Sequence, residues 1–311
     1  MLINRREFLA ASALLTQRVS AASAPNMQFP TAARDRLAVA SWSFRDYLDT
    51  AENRAKKSHG ALIDMKQFPA MIVDRYKIHN VEILGQHLPS TTPAYLKDFR
   101  AACEKAGSRV IDLPAGGEAS PYDPDPKRRA AAIADGKKWI DVAIALNCPS
   151  VRLNIAGVKG VAPEVALTAQ GLAAVAQYGA SKNVIVNLEN DDPETEDAFF
   201  IVKVIDKANT PWLRALPDFC NSMLKGDEKF NYDAVAAMFS RAYNISHLKD
   251  SEVDNGKVFR VDLARTFAIA KASGFKGYYS AEFEGEGDAY DGVAKLIDAG
   301  LKLLNRDREG A

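Results

Sequence analysis

The chain has 311 residues, and its 40 Lys and Arg balance 40 Asp and Glu, so its formal charge is zero. A hydrophobic fraction of 47% and a charged fraction of 26% are ordinary for a globular protein with a sizeable core, while the balance of charge leaves no electrostatic footprint for nucleic acid or an anionic membrane. Three cysteines are too few for a disulfide framework, and beyond the N-terminus no run reaches the roughly 18 apolar residues that would span a bilayer.

Residues 1–24 read as an address. Asn4-Arg5-Arg6-Glu7-Phe8-Leu9 resembles the twin-arginine export signal, although Asn4 stands where that signal usually has Ser or Thr. A short apolar run from Leu9 to Leu15 follows, and small residues around Val19-Ser20-Ala21 offer a cleavage site. The alternative is a basic helix at the chain end. The signal implies a periplasmic protein with no stable membrane insertion once the segment is removed. Export of folded, cofactor-loaded proteins by that route also suits a chain that must hold a particular metal, because the Irving–Williams order favours the wrong ones outside.

Residues 25–35 read as a linker, 36–305 as one folded unit and 306–311 as a tail. Eight β-rich runs are expected near Leu37–Ser43, Asn80–Leu84, Arg109–Leu113, Ser150–Asn154, Val184–Glu189, Ala215–Phe219, Ile245–Leu248 and Gly277–Glu282. Between and after them, apolar residues at helical spacing mark Thr92–Ala106, Lys127–Ala145, Ala162–Ser181, Glu194–Ala208, Asn231–Ala242, Val261–Ala272 and Asp288–Leu304. Gly107, Asn183 and Gly274 stand where helices end before a strand. Strand–helix alternation repeated this way predicts parallel strands under helices, closing most simply as a single (β/α)8 TIM barrel. A doubly wound open sheet is the competitor, but no strand-linked G-x-G-x-x-G or G-x-x-x-x-G-K-[ST] loop is present. Residues 49–65 form a long first connection at the barrel mouth.

Active sites of such barrels lie at the carboxyl ends of the strands. The fifth strand ends in Asn187-Leu188-Glu189-Asn190, the sixth in Leu216-Pro217-Asp218-Phe219, the seventh in His247-Leu248-Lys249-Asp250 and the eighth in Ser280-Ala281-Glu282-Phe283. Each acidic residue alone is commonly a helix cap or a solvated loop residue, and a lone His is commonly a hydrogen-bonded core residue. Glu, Asp, His and Glu on four consecutive strand ends instead point to a divalent-metal site, with Mn²⁺ leading and Mg²⁺, Co²⁺ or Zn²⁺ also suited to carboxylates plus one imidazole.

With these residues in hand, the chain resembles the sugar phosphate isomerase/epimerase superfamily with its xylose isomerase-like barrel, over about residues 36–305. Its marks are Val39-Ala40-Ser41-Trp42-Ser43-Phe44, Val81-Glu82-Ile83, Asn187-Leu188-Glu189, Pro217-Asp218, His247-Leu248-Lys249-Asp250 and Ser280-Ala281-Glu282-Phe283-Glu284-Gly285. The resemblance implies that Glu189, Asp218, His247 and Glu282 hold the metal and that Glu189 and Glu282 are also the catalytic acid/base pair. The chemistry implied is proton transfer next to a ketose carbonyl through an enediolate, with one glutamate removing the proton and the other returning one on the opposite face.

Two departures bear on the substrate. Asn221 stands where the epimerases resembled here carry a His, and Lys249 follows His247 where they carry an Arg shortly afterwards. Lys249 and Asn221 are candidate substrate contacts, as are Arg152, Trp42 and His87. The competing expectations are an ion pair for Lys249, a counter-ion to residues such as Glu82 for Arg152, and core packing for Trp42. Asp112 shares the ambiguity of Arg152, His79 reads as structural, His59 as solvated, and Cys220 as a small buried hydrophobe. Endonuclease IV-like DNA repair uses the same barrel with three zinc ions and many histidines. The four histidines and balanced charge here argue against it.

The leading expectation is therefore an exported, metal-dependent isomerase or epimerase of a small ketose or keto-polyol. A lyase or hydratase acting on an inosose, a 3-keto sugar or a 3-keto-glycoside uses the same first step, and a non-catalytic periplasmic sugar-binding protein is the third reading. The partner expected is a small carbohydrate, and fold-level analogy adds a homo-oligomer.

Overall fold

A computed structural model describes residues 23–56 and 61–309. The twin-arginine segment and His59 lie outside the described residues. The strands are β1 (Leu37–Ala40), β2 (Asn80–Glu82), β3 (Arg109–Ala115), β4 (Ser150–Leu153), β5 (Ile185–Glu189), β6 (Leu213–Leu216), β7 (Ile245–Leu248), β8 (Ser251–Asp254), β9 (Lys257–Arg260) and β10 (Tyr278–Ala281). Eight of them form one parallel sheet in the order β6-β5-β4-β3-β2-β1-β10-β7, and β8 and β9 make a separate antiparallel hairpin. The sheet curls until β6 and β7 meet. At that seam there are two single bridges, Ala215 to Ala242 and Asp218 to His247, instead of a ladder. Pro217 has no N–H to continue one, so its carbonyl accepts from the His247 amide and the Ser246 hydroxyl instead.

The helices are α1 (Ala51–Lys56), α2 (Phe68–Tyr76), α3 (Pro93–Lys105), α4 (Pro126–Ala145), α5 (Val165–Lys182), α6 (Ala198–Ala208), α7 (Glu228–Phe239), α8 (Leu263–Ala272) and α9 (Ala289–Glu309). Their ends follow local chemistry. Asp125, Glu164, Asp197, Asp227 and Asp262 cap the first turns of α4 to α8 with their carboxylates. Past α3 and α5, Gly107 and Asn183 take the left-handed conformation that stops a helix. Among the described residues, no helix is long and apolar enough to cross a membrane.

Parallel strands covered on both faces carry alternating sets of buried side chains. Leu37, Val39, Val81, Leu113, Val151, Val186 and Leu188 belong to the main apolar core. The opposite set points into the barrel. Ala38, Ile111, Leu216, Ile245 and Tyr278 fill its lower part, where Met27 and Phe29 pack against them. Above lies a polar interior, which leads to the rim.

Several elements depart from the sequence expectation, among them α1, which forms within the long first connection. β1 stops at Ala40, and Ser41–Tyr47 turn in 3-10 geometry, with the Ser41 hydroxyl accepting the Leu84 amide. Helix α2 forms where no helix is expected, and it ends on Lys77 in a left-handed conformation rather than on Gly. The hairpin is also unexpected, although Asn255-Gly256 between alternating residues is a strong signal for it. Both residues have positive φ, 49° and 75°, as a two-residue hairpin turn requires.

Candidate metal centre

β5, β6, β7 and β10 bring Glu189, Asp218, His247 and Glu282 to one end of the barrel. One potential ligand atom from each lies within 4.8 Å of all the others, and all four residues are buried. His247 Nδ1 is 2.8 Å from Glu189 Oε1, 3.2 Å from Glu282 Oε2 and 3.7 Å from Asp218 Oδ2. The Asp218 Oδ1 accepts the backbone N–H groups of Cys220 and Asn221, both at 2.7 Å. Its Oδ2 is buried without a hydrogen-bond partner. Asn190 clamps the same residue from behind, accepting the Asp218 N–H at 2.8 Å and donating to its carbonyl at 3.2 Å.

The electrostatics show a site short of positive charge. Burial pushes the Asp218 carboxyl up to about 7, with the neighbouring Glu189 and Glu282 adding to the effect against Lys249. Burial also raises Glu282 to about 7, although His247 opposes it. Burial acts upward on Glu189 as well, but the Arg152 guanidinium, then His247 and Lys249, hold it down at about 2. An orphaned carboxylate oxygen, a ring nitrogen and two further carboxylates converging in a buried place fit a divalent cation.

The expected substrate residues divide by position. Arg152 Nη2 lies 2.7 Å from Glu189 Oε2 and 2.5 Å from Asp191, and Nη1 donates to Asn154 at 2.6 Å. Its counter-ions are thus Glu189 and Asp191, whereas Glu82 bonds His247. Asn221 joins two parts of the site, donating to Glu189 at 3.3 Å and accepting from Lys249 Nζ at 2.7 Å. Lys249 is 1% exposed, also bonds Glu252 and Glu284, and lies 3.9 Å from Glu282. Trp42 donates its indole N–H to Glu284 and stands 6.1 Å from the His87 ring in parallel array, with the Arg45 guanidinium 4.7 Å from its centroid. His87 is buried and neutral, its pKa lowered to about 4 by burial and then by Arg45, and its Nδ1 meets the Ser41 hydroxyl at 2.9 Å. It reaches the centre through Trp42.

Below the rim, Asp112 is fully buried. Its Oδ1 bonds the Ser150 hydroxyl and accepts the Asn187 amide at 3.1 Å. His79 is exposed, and its Nδ1 meets the Gly107 carbonyl at 2.8 Å. Cys220 is buried, and burial raises its thiol.

Glu284, Glu252, Asn190 and Glu82 join this centre without being expected there. Glu284 had a signal, since it stands two residues after Glu282 and can face the same way along extended chain. Glu252 arrives on the unforeseen hairpin. Glu82 sits on the opposite side of the barrel, and only the closed sheet brings it to His247.

A family profile described as a xylose isomerase-like TIM barrel matches residues 74–306. No curated protein matches the chain. Among solved structures, an L-ribulose 3-epimerase aligns at TM-score 0.67 and 16% identity, covering 88% of this chain and 97% of its own. A D-psicose 3-epimerase from Clostridium cellulolyticum H10, solved with D-tagatose, aligns at 0.62 and 13%, covering 87% and 97%. A xylose isomerase-like TIM barrel protein from Mycobacterium smegmatis in complex with magnesium aligns at 0.65 and 14%, covering 88% and 98%. At such identities these likenesses establish the fold.

Proposed function

The chain belongs to the xylose isomerase-like TIM barrel family, and we propose that it is a divalent-metal-dependent isomerase or epimerase of an uncharged ketose or keto-polyol. The observation that carries this reading is the pair of buried glutamates, Glu189 and Glu282, both within 3.2 Å of His247 Nδ1 beside an unpartnered Asp218 oxygen. The names of the solved epimerases support a sugar substrate. Glu189, Asp218, His247 and Glu282 would hold the cation, which when bound polarises a carbonyl and acidifies the neighbouring C–H. Glu189 and Glu282 then exchange a proton with that carbon, one taking it and the other returning it. Arg152 fixes Glu189 from behind, and Asn221 ties Glu189 to Lys249.

An uncharged substrate is supported by how the cations are matched. Among the described residues at this rim, Lys249 faces Glu252 and Glu284, Arg152 faces Glu189 and Asp191, and Arg45 stands 3.8 Å from Glu284. A phosphate or carboxylate would have to break one of these pairs. The Lys249 ammonium, 3.9 Å from Glu282, favours one second reading. It would stabilise an oxygen expelled from the β-carbon after the same proton abstraction, making the protein a lyase or hydratase on an inosose, 3-keto sugar or 3-keto-glycoside. The export signature adds a periplasmic setting to either reading.

The test begins with divalent-metal content of protein purified without added metal, beside Glu189→Gln and His247→Ala. About one ion per chain, weakened in both variants, is expected. Keto sugars incubated with the loaded enzyme in deuterated water should then gain label at one carbon with the skeleton intact. An unsaturated or deglycosylated product selects elimination. No ion after anaerobic reloading with Mn²⁺, Co²⁺ or Zn²⁺, with sugar binding unchanged in Glu189→Gln, leaves a sugar-binding protein.

A further inference from the structure

A neutral imidazole has one N–H and one lone pair, so the partner of one nitrogen decides what the other can do. The two nitrogens of His247 face different groups. Nδ1 looks into the cluster of Glu189, Glu282 and Asp218, while Nε2 is 2.9 Å from Glu82 Oε1. Glu82 ends β2, and β1 and β10 separate that strand from β7 in the sheet. The contact is therefore made across the barrel interior. Glu82 is 0% exposed, and its second oxygen has no hydrogen-bond partner. The nearby cation expected to balance it, Arg152, is engaged with Glu189 and Asp191 instead. A buried carboxylate is costly when it lacks a partner, and the one observed here is the outer nitrogen of the histidine at the metal centre.

We infer that Glu82 is a positioning residue that accepts the Nε2 proton of His247 and so keeps the lone pair of Nδ1 aimed at the metal centre. The opposite tautomer would set a lone pair against a carboxylate oxygen and a proton against the cation. Glu82 also fixes the ring plane, because the imidazole is held at both ends between β2 and the cluster. The inference rests on the metal-centre reading above and goes beyond it by assigning a task to a residue that touches neither cation nor substrate.

Two measurements test it, with Zn²⁺ as the probe. First, calorimetric titration of metal-free wild type, Glu82→Gln and Glu82→Leu is compared, with circular dichroism confirming the fold. Wild type should bind one ion, and both variants should lose roughly 10- to 100-fold in affinity, Leu more than Gln because Gln keeps an acceptor oxygen. Second, nitrogen-15 spectra of Zn²⁺-loaded wild type, assigned with His247→Ala, should show Nδ1 bound and Nε2 protonated. This second measurement holds even where a variant fails to fold. Variants that bind within about twofold of wild type, or a ring bound through Nε2, overturn the inference and leave the metal centre standing. Wild type that binds no divalent ion overturns both.

Discussion

Lys249→Met would expose how the charges at the rim depend on one another. The ammonium is 1% exposed and is shared by Asn221, Glu252 and Glu284. Burial works against its charge, but Asp218, Glu284, Glu282 and Glu252 raise its pKa well above the usual lysine value. It therefore contributes stability throughout the range below its ordinary pKa. Met fills similar space and leaves two largely buried carboxylates facing each other, a loss of about 3–5 kcal/mol by analogy with other broken buried pairs. That is a large share of the roughly 5–15 kcal/mol that holds a typical domain folded. Glu284 sits below its ordinary value because Lys249 outweighs burial, and Glu252 is already pushed up to about 7, chiefly by burial. Without the lysine both carboxyls rise, and protonation relieves their repulsion. The deficit should be largest at pH 8, shrink towards pH 5, and shrink again in Lys249→Met/Glu284→Gln. Urea unfolding of the metal-free proteins at both pH values measures it. A loss below about 1 kcal/mol at pH 8, or one equal at both pH values, refutes the charge-matching account.

Asp112→Asn should stabilise by under about 2 kcal/mol at pH 5 and by more at pH 8. Burial, then Glu82, raises the Asp112 carboxyl to about 7, so the folded state favours the protonated form and loses stability as pH rises from 3.8 through that value. Asn keeps an acceptor for Ser150 and Asn187 without the charge. The gain at pH 8 is up to about 4 kcal/mol by linkage, and an unchanged pH dependence of urea unfolding contradicts it. Tyr243→Phe removes the hydroxyl that donates to the Pro25 carbonyl and accepts the Met27 amide. It should cost about 1–2 kcal/mol and open residues 23–29 to limited proteolysis; resistance equal to wild type would show that the segment is held by other contacts.

The barrel was legible because its signals are local. Eight β-rich runs separated by amphipathic stretches specify parallel strands under helices, and Ile245–Leu248 agrees to the residue. The convergence of Glu189, Asp218, His247 and Glu282 was legible too, because the barrel gathers strand ends wherever the intervening helices lie. Relations across the barrel were not. Pairing Glu82 with His247 rather than with Arg152 depends on side-chain reach over a closed interior. The stack of His87, Trp42 and Arg45 depends on a 3-10 turn where extended strand was expected. Glu252 depends on a hairpin whose only local signal is its turn pair, Asn255-Gly256.

The cluster of Glu189, Asp218, His247 and Glu282 occupies the place where the backbone closes the barrel least. β6 and β7 share no ladder, and their bridge at the rim joins Asp218 to His247, two of the residues that converge on the cluster. A cation held by both would link the strands that Pro217 prevents from pairing, so its binding energy would count towards closure of the fold. The other end of the same seam is closed by side chains. Trp212, just before β6, donates to the Ser23 carbonyl at 2.8 Å, and Tyr243, just before β7, bonds Pro25 and Met27. Phe29 then packs edge-on against Tyr243 and Tyr278. Residues 23–29 thus span the floor of the seam whose rim carries Asp218 and His247. The gap in the ladder gives Asp218 and His247 room to approach one another without a continuous strand pair fixing their spacing, and the floor contacts hold the two strands together while the rim stays free to adjust around a cation that would sit there.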